Sequence, residues 1–330
     1  MNSLKPTHRA QFRKRQRWGY SFRPNLSLRV GSAGDGHAGY LIETNEDGFR
    51  DSSSLASFRA SSKEKWLIIG CSFIAGVGVR AADRVFDLIQ LWNTDRVFYN
   101  AGLPGSGHDQ QLLILEDLIA RAEPDYVLFA PYTGCALRNL DAWRRSYDEL
   151  HGTDHAQSKP RFEVVNGELV LAKASPVCAG LIAADNRLGS NFQGRITRYA
   201  RHLNLQVGMP VHPVYDKIYT GRDPVGLELM KRIIGRILET ANKHSAEVVT
   251  MPLLARWDVR RGYSPPASRF FTALSNESSI WNVDLWPLFE ALPKNVRRQC
   301  FLVSDGHYSR LGHRLIADYV FRNDLLLLRQ

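Results

Sequence analysis

Short apolar runs alternate along this chain with longer stretches in which apolar residues recur every three to four positions. The runs are four or five residues long and rich in β-branched and aromatic side chains, which predicts buried strands. These strands are expected at residues 66–69, 97–100, 126–130, 247–251 and 280–284. The periodic stretches predict amphipathic helices at 83–92, 108–122, 227–244 and 312–321. Such alternation predicts an α/β fold, with a doubly wound, mostly parallel five-stranded sheet between two helical layers.

Two regions break this rhythm. Residues 138–225 form an expected insertion after the third strand, and within it 162–171 predict a β-hairpin whose turn is Asn166-Gly167. Residues 1–60 predict an N-terminal extension, in which 40–43 and 48–51 flank a turn and suggest a small hairpin or cap. The serine-rich stretch 52–62 is typical of a linker, so the main domain is expected to span 61–330.

The net charge of +10 is concentrated at the N-terminus. Residues 1–30 contain eight lysines and arginines and no acid, so the other 300 residues carry only +2. This basic arm either contacts an anionic surface or is a solvated tail. Few aromatic residues accompany its charges, so we do not expect nucleic-acid binding.

The compartment is expected to be reducing. The four cysteines show no metal-ligand spacing, which favours free thiols in an intracellular protein. No apolar run approaches the roughly 20 residues needed to span a bilayer, and the first residues lack the apolar core of a secretory signal. We therefore expect a cytoplasmic protein.

The segment 70–78, Gly-Cys-Ser-Phe-Ile-Ala-Gly-Val-Gly, places Ser72 at a turn between the first strand and a helix. Such a turn raises a hydroxyl to the sheet edge and directs backbone N–H groups at any anion formed there. The segment lacks the lysine of a Walker loop and the third glycine of a dinucleotide loop. A tight structural turn is the alternative, but a candidate base follows late in the chain at His307, two residues after Asp305.

Four blocks in this order resemble the SGNH, or GDSL-like, hydrolases. They are Gly-Cys-Ser-Phe with Gly-Val-Gly-Val at 70–79, Asn-Ala-Gly-Leu-Pro-Gly at 100–105, Pro124-Asp125 with the 132–136 segment, and Asp305 to His307 with Gly312-His313. The extension, with Gly-Phe-Arg-Asp at 48–51, resembles members found with polysaccharide biosynthesis. The resemblance implies a flavodoxin-like SGNH hydrolase fold that needs no metal or cofactor.

The resemblance also implies catalytic roles. Ser72 would be the nucleophile, His307 the base that takes its proton, and Asp305 the group that orients the imidazole. Asp284, after the fifth strand, is an alternative orienter, and His313 is expected to pack or cap the last helix.

The oxyanion hole departs from the family pattern. The resemblance assigns it the backbone N–H groups of Ser72 and Gly105 and an asparagine side chain, but Cys135 stands where that asparagine belongs. A thiol is a weak donor, and losing one such donor typically costs about 10²–10³ in kcat. Asn139, four residues on, is a possible substitute.

Three functions remain open from the sequence. The first is a serine esterase, or an acyltransferase, acting on an O-acyl group, most simply acetyl, of a carbohydrate or small ester. The second is a catalytically impaired SGNH-fold binding protein, which the cysteine at 135 favours. The third is a role of the basic arm at a nucleic acid or membrane surface.

Overall fold

The structure is a computed structural model that describes residues 11–15, 17–30, 39–141, 143–148, 153–172, 215–278, 280–303 and 306–326. Five parallel strands form its central sheet, and they are labelled in chain order among all the strands of the described residues. They are β5 (Glu64–Gly70), β6 (Arg96–Asn100), β7 (Tyr126–Ala130), β12 (Glu247–Thr250) and β13 (Trp281–Asn282). The spatial order is β13-β12-β7-β5-β6, the doubly wound order of flavodoxin-like sheets. The predicted fold class is confirmed.

Helices cover both faces of the sheet. The longer ones are α3 (Val85–Trp92), α4 (His108–Ala122), α7 (Pro224–Lys243), α8 (Pro266–Ser278) and α11 (Arg310–Arg322). One apolar cluster includes α4 and α7, and the other includes α3 and α11, so each face of the sheet has its own core. The four predicted helices are confirmed, whereas α8 and the short helices α9 (Trp286–Ala291) and α10 (Lys294–Gln299) were not predicted.

The order of the strands creates a switch point between β5 and β7. The chain leaves β5 toward β6 on one side, and β7 then returns to pair with the other side of β5, where Gly70 is opposite Ala130. Crossover connections on the two sides diverge there, which opens a crevice at the carboxyl ends of the strands. Ser72 and Cys135 both follow this edge.

The N-terminal extension packs into the core. Strands β1 (Phe12–Arg15) and β2 (Gly19–Phe22) form an antiparallel hairpin, and Trp18, Tyr20 and Phe22 are buried. Over these residues the basic arm is therefore not a solvated tail, and Arg17 pairs with Glu116 of α4 at 3.3 Å. Residues 1–10 lie outside the described ranges.

Two local predictions in the extension are wrong. The hairpin expected from 40–43 and 48–51 does not form, because β4 (Tyr40–Glu43) pairs with β3 (Ser27–Val30). The expected linker contains α1 (Leu55–Arg59), whose N-terminus is capped by the Ser54 hydroxyl. Leu55 and Phe58, three residues apart, bury one face of α1, so packing outweighs the serine-rich composition.

The insertion expected at 138–225 begins at the last residue of α5 (Cys135–Arg138) and includes α6 (Asp216–Tyr219). Its described residues form two antiparallel hairpins. The first joins β8 (Trp143–Asp148) to β9 (Thr153–Ser158), and the second joins β10 (Arg161–Val165) to β11 (Glu168–Ala172). The second is the predicted hairpin, and its turn residues Asn166 and Gly167 have φ values of 52° and 81°, as an Asn-Gly turn requires. Phe162 of this hairpin is buried in the α4–α7 core.

No helix within the described ranges is both long and apolar enough to cross a membrane.

Asp51 ties the extension to the sheet. Its carboxylate accepts hydrogen bonds from the backbone N–H groups of Ser53 and Asn100, both at 2.7 Å. Burial raises the pKa of this carboxyl to about 6, although Arg84 and the two N–H donors act against the rise.

The raised pKa of Asp51 predicts a pH-dependent stability. Since the folded state holds this proton more tightly than the unfolded chain, the contribution is present below about pH 4 and is lost as the pH rises through about 6. The unfolding free energy of the wild type relative to Asp51→Asn should therefore fall across this window, by at most about 3 kcal/mol. Urea unfolding at pH 4, 5, 6 and 7 measures it. An exposed control, Asp95→Asn, should show no such trend, and a flat Asp51→Asn difference would contradict the assignment.

Candidate active site

Ser72 begins the helical turn α2 (Ser72–Ala75) directly after β5. The turn ends at Gly76, whose φ of +72° is a conformation that favours glycine. A side chain at Gly76 would also collide with Arg84, since a Cβ there would lie 2.4 Å from Arg84 Cδ. The sharp turn places the Ser72 side chain at the switch point, where it is 6% exposed.

His307 reaches the same point from the other end of the chain. Its Nε2 lies 2.7 Å from Ser72 Oγ, which is hydrogen-bonding distance. The loop that carries it is closed by a bond from Leu302 N–H to His307 C=O at 2.7 Å and by a bridge between Phe301 and Tyr308. Residues 235 positions apart are thereby brought into contact. Asp305 lies outside the described residues, so its orienting role stays a prediction.

An aromatic stack fixes the imidazole on one side. The Phe73 ring lies 4.9 Å from the His307 ring and stacks on Tyr132 at 4.3 Å. Tyr308 meets the edge of Phe73 at 4.8 Å. These contacts restrict how far the imidazole can rotate away from Ser72. Sequence reasoning missed Tyr132 and Tyr308 as site residues, although both lie inside the family-like blocks.

The loop after β6 lies against the Ser72 turn. The Leu103 N–H donates to Gly70 C=O at 3.0 Å, and the Asn100 side chain donates to Ile74 C=O at 2.8 Å. Gly105 follows in this loop with φ +81°. Among the described residues, neither the Ser72 N–H nor the Gly105 N–H has an internal hydrogen-bond partner. Both amides remain available to a ligand oxygen, and their joint role as an oxyanion hole stays a prediction.

A cysteine pair and an arginine lie beside this loop. The Cys71 Sγ is 3.9 Å from Ser72 Oγ, and the Cys135 thiol donates to Ser106 C=O at 3.3 Å. Arg138 donates from Nη1 to the same carbonyl at 2.9 Å and lies 3.4 Å from the Cys135 sulfur. The guanidinium also covers the Tyr132 ring, 5.6 Å from its centroid.

Arg138 makes this edge of the site electropositive. Burial raises the pKa of the Cys71 thiol, but a hydrogen bond with Cys135 and the charge of Arg138 outweigh it and lower that pKa to about 5. Sequence reasoning missed Arg138. Its position could have indicated a site residue, because Arg138 lies in the turn after the third predicted strand, three residues from Cys135.

Three other candidate residues have partners of their own. The Asn139 side-chain oxygen accepts from the His108 N–H at 2.9 Å at the start of α4, and its nitrogen lies 3.3 Å from His108 Nδ1. The Asp284 carboxylate accepts from Trp286 N–H at 2.9 Å and from the Ser268 hydroxyl. His313 is buried in α11 against Tyr308, and burial lowers its pKa to about 3, so it is neutral and packs as expected.

Arg50 holds the loop that follows Ser72. Its buried guanidinium donates from Nη1 to the carbonyls of Ala75 and Gly76 and from Nη2 to Val79 C=O at 2.8 Å. Nη2 also donates to Leu41 C=O at 2.8 Å, which links the loop to β4. One side chain from the extension thus satisfies the Ala75 and Val79 carbonyls, which accept no backbone N–H within the described residues, and adds a second donor to Gly76 C=O, which also accepts from Val79 N–H at 3.3 Å.

No metal centre is evident in the described part of the chain, where His, Cys, Asp and Glu side chains form no group of three or more that could hold an ion.

No family model matches this chain, and no curated protein matches it. Solved structures similar to it include a member of the lipolytic G-D-S-L family from Veillonella parvula, at 12% identity and a TM-score of 0.43, covering 78% of this chain and 96% of that one. A lipase/acylhydrolase from Enterococcus faecalis is 13% identical with a TM-score of 0.41, covering 80% and 96%. An acetyl xylan esterase is 13% identical with a TM-score of 0.41, covering 78% and 98%. All three TM-scores are below 0.5. The fold and the candidate chemistry of this chain are therefore assigned from its own geometry.

The Arg50 clamp predicts that Arg50→Lys destabilises the protein by about 2–4 kcal/mol, because an ammonium cannot reach carbonyls on opposite sides as a guanidinium does. Amide exchange at residues 75–79 should accelerate more than exchange in β7. Chemical unfolding and hydrogen exchange measure the two effects. Arg59→Lys, at an exposed pair with Glu123, is the matched control and should cost less than about 1 kcal/mol. Equal effects of the two substitutions would contradict the clamp.

Proposed function

We propose that this protein is a serine esterase of the SGNH type, with Ser72 as nucleophile and His307 as base. The single observation that carries the proposal is the 2.7 Å contact between Ser72 Oγ and His307 Nε2 at the switch point of a doubly wound sheet. A nucleophile within hydrogen-bonding distance of a base is the arrangement that covalent acyl transfer requires.

The proposed reaction has two steps. In the first, His307 Nε2 takes the Ser72 hydroxyl proton as Oγ attacks the ester carbonyl, and the resulting imidazolium returns that proton to the departing alcohol. In the second, His307 takes a proton from water, or from an acceptor hydroxyl, which attacks the acyl-enzyme and releases the acid or a new ester. Asp305 would orient the imidazole through its other nitrogen.

The proposed substrate is an O-acetyl ester of a carbohydrate or of a small alcohol. The Ser72 side chain is only 6% exposed and lies beside the Phe73 and His307 rings, which favours a short acyl group over a long one. The resemblance to members found with polysaccharide biosynthesis supports the carbohydrate.

The oxyanion would be held by the Ser72 and Gly105 N–H groups. The position expected to supply an asparagine donor carries Cys135, whose thiol already donates to Ser106 C=O. Arg138 donates to that same carbonyl, so its positive charge lies at the Ser106–Gly107 peptide, in the loop that also holds Gly105. We propose that this charge stabilises the developing oxyanion where the asparagine is missing.

Ser72→Ala should lower the hydrolysis of para-nitrophenyl acetate about 10⁴-fold or more, since the nucleophile is removed. Wild-type protein should also gain the mass of one adduct with an organophosphonate probe, and Ser72→Ala should gain none. Steady-state rates and intact-protein mass measure both. His307→Ala should be similarly inactive. Turnover that persists in Ser72→Ala, or an adduct on a cysteine, would contradict the assignment.

Arg138→Met should lower kcat for para-nitrophenyl acetate about 10- to 100-fold with little change in KM, because the neutral ester is not bound through this charge in the ground state. Arg138→Lys should retain more activity, since it keeps the charge. Steady-state kinetics of the two variants, after their folding is checked by circular dichroism, separate charge from packing. A loss that falls on KM alone would contradict the proposed role.

A catalytically impaired binding protein is the second candidate, and the engagement of both Cys135 and Asn139 with other partners favours it. It predicts a folded wild type with neither turnover nor adduct. In that case Cys135→Asn is the substitution to restore activity.

A further inference from the structure

A groove lined by arginines lies beside the loop that carries His307. It has a volume of about 780 Å³ and an apolar floor that includes Phe301, Leu302 and Leu311. Five guanidinium groups surround this floor, and no aspartate or glutamate lines it within the described ranges. The arginines of this groove, called the arginine groove below, are Arg256, Arg260, Arg298, Arg310 and Arg314.

Three of these side chains contact uncharged groups. Arg256 donates to Val303 C=O at 3.1 Å, Arg260 lies over the Trp257 ring at 5.1 Å, and Arg314 lies over the Trp92 ring at 4.6 Å. A carbonyl or an aromatic face positions a guanidinium without neutralising it.

The remaining two arginines differ in their partners. Arg310 pairs with Asp83 at 3.0 Å, but Asp83 is shared with Arg80 and does not line the groove. Arg298 has no acidic partner among the described residues. Arg260, Arg298 and Arg314 therefore line the groove with no acidic partner in the described part of the chain.

The arginines are close enough to disfavour one another. Burial lowers the pKa of Arg260, and the charges of Arg256 and Arg298 lower it further. Scattered solvated arginines would not repel in this way, because exposed charges far apart are screened by salt. An anion that binds among these arginines would offset the repulsion between their positive charges.

We propose that the arginine groove binds a soluble ligand through a diphosphate or a similar group of two or more phosphates. A single carboxylate would balance one of these three charges, whereas a diphosphate matches several and accepts the paired N–H donors of guanidinium groups. The site is concave and its volume is within the range of small-ligand pockets, which favours a small ligand over a flat bilayer surface. The apolar floor would hold an apolar or ring portion next to the phosphates.

The groove shares its wall with the proposed active site. Leu302, in the groove floor, donates its N–H to His307 C=O, and its side chain lies against Gly78 of the Ser72 loop, where a Cβ would come within 2.1 Å of Leu302 Cδ1. A ligand in the groove would contact the loop that positions the base. The binding proposal itself stands on the groove and does not depend on ester hydrolysis.

Titration calorimetry of the full chain with inorganic pyrophosphate tests the site. We expect saturable binding with one site per chain, stronger for pyrophosphate than for inorganic phosphate and weaker as salt increases. The double variant Arg260→Gln with Arg298→Gln should weaken pyrophosphate binding about tenfold or more for each arginine removed. Both positions are exposed, and Arg298→Gln alone provides a variant with less effect on folding.

The matched control is Arg232→Gln with Arg236→Gln on α7, which removes the same net charge from an exposed face outside the groove. It should bind pyrophosphate like the wild type. Undetectable pyrophosphate binding at millimolar concentration, or an equal loss in the control variant, would overturn the proposal. So would binding to phosphatidylglycerol vesicles, relative to phosphatidylcholine vesicles, without any binding of pyrophosphate.

Discussion

The buried guanidinium of Arg50 is the interaction on which the geometry of this site depends. Where the strand turns sharply into a four-residue helix, the carbonyls of Ala75 and Val79 accept no backbone N–H within the described residues, and Gly76 C=O accepts only from Val79 N–H. Arg50 donates to all three carbonyls and joins them to β4 of the extension. Its charge is expensive to bury, so the arrangement depends on the four carbonyls that accept from Nη1 and Nη2. The turn that carries the proposed nucleophile is therefore held by a residue of the N-terminal extension, which precedes the α/β domain in the chain.

The strand order supplies the second constraint. Because β5 is paired on one side with β6 and on the other with β7, the loops after all three strands meet at one edge. The strand order alone therefore brings three segments together at this edge. They are the Ser72 turn, the Gly105 loop and the turn bearing Cys135 and Arg138. His307 reaches the same edge through a loop closed on itself at its base, and an aromatic stack holds its ring. Leu302 and Val303 of that loop also line the arginine groove.

The local sequence pattern predicted strands and helices correctly where the apolar residues that set the pattern are also the residues that are buried. The runs at 66–69 and 126–130 were predicted as buried strands and lie in β5 and β7, and α4 was predicted to the residue because an apolar stripe runs through it from His108 to Ala122. Prediction failed where a tertiary contact decides. Tyr40–Glu43 pairs with an earlier strand instead of a later one, and a serine-rich stretch becomes helical because Leu55 and Phe58 find a core to enter.

The sequence by itself determined the fold class, the Ser72 turn and the candidate base, because these follow from short-range periodicity, glycine placement and family-like blocks. Only the tertiary structure decided which polar groups serve the site. Asn139 is spaced to reach the predicted oxyanion hole but binds the start of α4. Arg50, noted in the sequence only as part of the segment 48–51, contacts the loop after Ser72, and Arg138, which the sequence did not single out, contacts the Cys135 thiol. Spacing along the chain cannot distinguish these outcomes, since a hydrogen bond depends on which donors and acceptors the packed elements leave facing one another.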